Sequence, residues 1–273
     1  MKPLPATDLK KADSPHGFTL IELLVVLAII SLLVAILIPC LSRAKACAQL
    51  LDCRGNLRTL GIAWIDYLAD HDGRFLQRPN ASTNYGGWKG LDVQKDLWPR
   101  PLNRYIGFGD PNGVTERMAA KDFCCPADRG GIPGAYLLER AYRAVGTSYQ
   151  TNPLLIGWGS CAPLSPHTQE LDLAIAAKLP NLNVNQVAGP HHDVVLLGDH
   201  GWVNQWSPMP LPFAEWKQRA EWHGKPDFHA VAFLDGHVEY RRIEKGIYVA
   251  PQYRVQPFTA LDEQARQCQG PTQ

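Results

Sequence analysis

Strong net charge is missing from this chain. Its 27 Lys and Arg nearly balance 26 Asp and Glu, leaving +1 over 273 residues without a long basic or acidic run. Nucleic-acid binders draw much of their affinity from neutralising phosphates with Lys and Arg, so nucleic acid is excluded as the main partner. The common catalytic signatures are missing too. There is no Gly-x-Ser-x-Gly, no Walker-type loop and no His-Glu-x-x-His, which removes the familiar hydrolase and nucleotide-binding classes. Seven cysteines include no Cys-x-x-Cys pair, so neither a zinc ribbon nor a thioredoxin-type motif is present. No internal repeat is visible. The chain therefore reads as non-enzymatic, with no cofactor implied and no metal ligand set assigned.

What the chain does have is one long apolar run. The 21 residues Phe18–Ile38 carry a single charge, Glu22, with Thr19 and Ser31 as further polar positions. At about 1.5 Å per helical residue this spans roughly 31 Å, close to the ~30 Å hydrocarbon core of a bilayer. It is too long for the apolar core of an ordinary secretory signal. A carboxylate within a membrane span costs several kcal/mol unless it is paired, so Glu22 is a functional residue by default. Lys2, Lys10 and Lys11 precede the run against Asp8 and Asp13, and this basic bias keeps residues 1–17 on the cytoplasmic side. Two plainer alternatives stand beside this: a signal cleaved near Ala44-Lys45-Ala46, and an anchor that is never processed.

The segment Gly17-Phe18-Thr19-Leu20-Ile21-Glu22 resembles the processing site of type IV prepilins and type II secretion pseudopilins. The resemblance implies cleavage by a prepilin peptidase between Gly17 and Phe18 and N-methylation at Phe18. It also implies that Glu22 neutralises the Phe18 ammonium of a neighbouring subunit during assembly. Partners are then the peptidase, other pilin or pseudopilin subunits and the inner-membrane assembly platform. The implied location is a single pass through the inner membrane with the C-terminal domain in the periplasm. Pro39 falls where many pilins have a helix-kinking proline. Further along, Cys53-Arg54-Gly55-Asn56-Leu57, Cys125-Pro126-Ala127-Asp128, Ser148-Tyr149-Gln150-Thr151-Asn152 and Asp235-Gly236-His237-Val238 are similar to segments of a large-domain pseudopilin-like group. One departure is Lys225, where that group's spacing expects a histidine; His223 and His229 flank it.

The expected organisation is α+β and pilin-like. A leader covers 1–17, a transmembrane helix 18–38, its extramembrane continuation 39–70, a globular β-rich domain 71–261, and a polar frayed tail 262–273. Removing the leader leaves 24 basic and 24 acidic residues. Leu50, Leu57, Leu60, Gly61, Trp64 and Leu68 share one helical face, and Asp70-His71-Asp72-Gly73 supplies stop chemistry. Strands are expected at 146–149, 193–197, 229–234 and 237–241. The last two read as a hairpin closed by a two-residue type I′ turn at Asp235-Gly236.

In an oxidising compartment bridges become plausible. Cys40 and Cys47 lie two helical turns apart, about 10 Å, beyond the ~7 Å Cα limit. A bridge from Cys53 to Cys125, or to Cys124, is the better candidate beside buried free thiols. Asp70-x-Asp72-Gly73 opens like a calcium loop but lacks its later acids, so a helix-ending turn is expected. His191, His192, Asp193, Asp199, His200, His223, His229, Asp235 and His237 could converge on a metal, or sit separately at turns and edges. Trp202, Trp206, Trp216 and Trp222 could form a stacking surface for a polymer, or pack inside.

Overall fold

The computed structural model describes residues 19–77, 81–91, 100–110, 113–131, 140–157, 169–187, 189–206 and 221–268. Two compact units divide the chain, Met1–Lys45 and Ala46–Gln273. In the first, helix α1 (Leu20–Asp70, 51 residues) begins and runs through Pro39 without interruption. Its apolar side chains are exposed from Leu20 to Leu41, and it is long and apolar enough to cross a membrane. A helix satisfies its own backbone groups, the condition for crossing hydrocarbon.

Within the second unit, α1 turns amphipathic. Cys53, Leu57, Leu60, Gly61, Trp64 and Leu68 are buried, and Leu50 is half-buried, so the predicted face is the one that packs. Burying each of its large side chains contributes about 1.5–3 kcal/mol. The helix ends where expected: Gly73 N donates to Leu68 O at 2.7 Å, with Asp72 and Gly73 at φ 53° and 76°. Only glycine takes that left-handed conformation freely, and Asp tolerates it better than most. Asp70 accepts from Tyr105 Oη at 3.1 Å, and the Asp72 carbonyl accepts from Asn183 Nδ2 at 2.5 Å. These contacts hold the Asp70–Gly73 segment as a helix-ending turn.

The helix covers an antiparallel sheet of order β1-β2-β3-β4. Its strands are β1 (Tyr149–Thr151), β2 (Val195–Asp199), β3 (Phe228–Phe233) and β4 (Val238–Arg242), each within a few residues of the expected strand. β2 and most of β3 are buried, as strands covered on both faces must be. A register shift between Val195 and Leu197 marks an irregularity in β2. Trp64 Nε1 donates to Thr151 Oγ1 at 3.2 Å, and Arg54 Nη2 donates to Val238 O at 3.1 Å. A small second sheet pairs β5 (Val249–Ala250) with β6 (Tyr253–Arg254). The α+β arrangement is thus the one the sequence implies.

Two details differ. The β3–β4 connection is not a type I′ turn, which needs positive φ at both central residues. Gly236 has φ 88° while Asp235 is not among the positive-φ residues, and Gly236 N donates to Phe233 O at 2.9 Å. The connection is a three-residue loop, 234–236, with its glycine left-handed. The tail also differs: Asp262–Cys268 is a helix with Ala265 buried and Asp262 bound by Arg254 and Gln256. An apolar contact and paired charge hold a segment that reads as merely polar.

Candidate functional site

Two places carry chemistry. At the start of α1, Thr19 and Glu22 close on each other. Thr19 N and Oγ1 donate to Glu22 Oε2 at 2.9 and 2.7 Å, and Glu22 N donates to Thr19 Oγ1 at 3.3 Å. This is a capping box, three residues apart, which satisfies helix-start N–H groups that lipid cannot. Among the described residues Oε1 accepts no hydrogen bond.

The second place lies under α1 in the globular unit, where the separated motifs meet. Cys53 of α1, Cys125 and His223 bring their donor atoms within 4.8 Å of one another, with Cys125 Sγ 3.7 Å from His223 Nε2. Both cysteines are free thiols and both are buried. Tyr149 stands beside Cys53, and its hydroxyl accepts from Asn56 Nδ2 at 3.0 Å. Burial, then Cys125, pushes the Cys53 thiol well up. Burial also raises Cys125, but hydrogen bonds from Cys53 and His223 outweigh it and bring that thiol down to about 7.

Asp128 holds this arrangement in place. Its carboxylate accepts from Gly130 N, Ala141 N, Tyr142 N and Ser148 Oγ at 2.9, 3.0, 2.8 and 2.7 Å. Arg140 donates to Cys124 Sγ, Cys125 O and Asp128 O at 3.1, 2.9 and 3.2 Å. Asn152 Nδ2 donates to Val195 O and Val255 O, both at 2.8 Å. The Cys-Pro-x-Asp and Ser-Tyr-x-x-Asn segments are therefore one framework. Deeper in the sheet, His229 Nδ1 pairs with Asp199 Oδ1 at 2.8 Å, both about 1% exposed. Ala230 N donates to Asp199 Oδ2 at 2.8 Å.

Residues 14–38 match the family model described as the prokaryotic N-terminal methylation motif. This is a chain with a prepilin-type N-terminus. A 62-residue stretch is 40% identical to the ComG operon protein 3 homolog of Bacillus licheniformis, covering 23% of this chain. The chain spans 64% of the length of that curated relative. No solved structure matches the chain.

Of the predicted positions, Glu22 sits in the first turn of α1. Gly17 and Phe18, which carry the expected cleavage and methylation, lie outside the described residues. Cys53 and Cys125 do face each other, whereas Cys124 is turned toward Arg140. The histidines do not gather: His191 and His192 are exposed, His229 pairs with Asp199, and His237 Nδ1 contacts Asp235 Oδ1 at 2.6 Å in the hairpin loop. Trp202 and Trp222 are buried, their indole N–H groups bound to Gln150 O at 3.1 Å and Gly130 O at 2.9 Å. They form no stacking surface; the side chain of Trp206 and all of Trp216 lie outside the described residues. The residue that sequence reasoning failed to join to the cysteines is His223, 98 positions from Cys125. Its only signal was the displaced histidine near Lys225.

Proposed function

We propose that the chain is a structural, non-enzymatic type IV pilin-like subunit, cleaved between Gly17 and Phe18 by a prepilin peptidase and N-methylated at Phe18. It is anchored by α1 in the inner membrane, with the globular unit in the periplasm, the orientation favoured by Lys2, Lys10 and Lys11. The observation that carries this reading is Glu22, the one charge in a membrane-length apolar run, held by Thr19 at the helix start inside the methylation motif. An unpaired carboxylate there is costly. The methylated ammonium of Phe18 on an adjacent subunit neutralises it, so lateral bundling of α1 helices is favoured and their axial register is set. The product is a pseudopilus of the type II secretion kind or a pilus-like filament, drawn up by an inner-membrane assembly platform.

Mass spectrometry of the N-terminal peptide, on protein extracted from membranes, tests the reading. A chain starting at N-methylated Phe18 is expected. An intact Met1 in the mature pool, or a start after Ala46, would overturn it.

A further inference from the structure

We propose that Cys53, Cys125 and His223 form a binding site for one borderline-soft divalent cation of the zinc type. The three donors come from three separate places: the buried face of α1, the segment after the helix Glu116–Phe123, and the loop leading into β3. In tetrahedral zinc sites metal–sulfur and metal–nitrogen bonds of roughly 2.3 and 2.0 Å put neighbouring donors about 3.5–3.8 Å apart. Cys125 Sγ and His223 Nε2 are 3.7 Å apart, and the whole set fits within 4.8 Å. A cation therefore needs only a small inward movement of the donors.

Charge fits as well as distance. Two thiolates and a neutral imidazole around a divalent ion sum to zero, so the bound site carries no net charge into a buried place, where an isolated ion would be costly. Asp199 acts electrostatically on both Cys53 and His223, so a buried carboxylate stands near the donor set. The donor set is sulfur and imidazole, which selects zinc-like ions over calcium or magnesium. His223 is aimed by an edge-on contact with Tyr240, 5.9 Å between centroids at 84°. Its Nδ1 is buried and has no partner among the described residues, so the ring is held from its sulfur side. The ion cross-links α1 to the β body, and no reaction is assigned to it.

The full chain, purified in detergent, reduced and stripped with a chelator, is titrated with Zn²⁺ alone and, separately, with Co²⁺. One ion per chain is expected, with an intense sulfur-to-cobalt charge-transfer band. Cys53→Ser, Cys125→Ser and His223→Ala should each weaken binding by tenfold or more, whereas Cys40→Ser and Cys47→Ser, at exposed positions of α1, should leave it unchanged. X-ray absorption of the zinc-loaded wild type reads the donors without any variant, should the variants fail to fold: two sulfurs and one imidazole are expected. A reduced, folded wild type that takes up neither ion overturns the proposal. So does a donor set lacking two sulfurs. A Cys53–Cys125 disulfide in chain isolated without reductant, together with no metal uptake after reduction, overturns it in favour of a redox bridge.

Discussion

The Asp128 carboxylate accepts the Ser148 hydroxyl at 2.7 Å, and this bond ties the Cys125–Asp128 segment to the start of β1. The same carboxylate accepts three backbone N–H groups, so it is the acceptor around which a loop, a short helix and a strand are arranged. Each buried donor left without a partner costs about 1–3 kcal/mol.

Asp128→Ala should consequently destabilise the globular unit by about 3–5 kcal/mol. For a domain of this size that lowers Tm by roughly 10 °C, readable by circular dichroism of the detergent-solubilised chain. A Tm within a degree or two of wild type would show that the carboxylate is dispensable.

Stability should fall in acid through His200. Burial pushes its imidazole down to about 4, against partial opposition from Asp128 and Asp199, and both ring nitrogens are buried without a partner among the described residues. The unfolded chain takes up this proton near its ordinary value of 6.5, the folded chain only near 4. The unfolded state therefore binds more protons between those values, and stability is lost as pH drops through that window, by up to about 3 kcal/mol. His200→Leu removes that contribution. Its Tm should decline less steeply than wild type between pH 7 and 4, and parallel curves would rule out His200 as the source.

Glu22→Gln separates charge from capping. Glutamine still caps the helix start as glutamate does, but it cannot neutralise an ammonium. The variant should reach the membrane fraction in wild-type amount while its crosslinked multimers fall more than about tenfold, a loss of about 1.4 kcal/mol or more in association. Multimers at wild-type level would remove the ion-pair basis of assembly.

Two glycines should respond oppositely to alanine. At Gly61 a Cβ meets only Ala232 Cβ and Gly236 Cα, both at 3.8 Å, so Gly61→Ala keeps its packing and gains helix propensity of about 0.5–1 kcal/mol. At Gly146, φ is 88° and a Cβ would stand 1.8 Å from Trp88 O. Gly146→Ala should lower Tm by several degrees or abolish folding, while Gly61→Ala should raise it slightly; the reverse order would contradict the packing described.

The strands and the buried face of α1 were legible because local periodicity encodes them. Trp64 and Leu68 repeat at helical spacing, and β2 and β3 are short apolar runs bounded by turn residues. The hairpin loop was misread because Asp-Gly suits both a two-residue turn and a three-residue loop, and strand register chose between them. The helix Asp262–Cys268 was missed because Arg254 and Gln256, just before it in the chain, hold Asp262 through side-chain contacts that helical spacing does not record.

Sequence alone determined the membrane-length apolar helix at the start of the chain. The apolar run, its one carboxylate and the methylation motif are contiguous, and neighbours along a helix interact whatever the remaining chain does. Only tertiary structure decided the company of Cys53, because Cys125 and His223 reach it from distant parts of the chain. Their meeting depends on Asp128 and Arg140 holding one loop while β3 positions the other. Proximity of that kind follows from packing, and no local pattern in the chain records it.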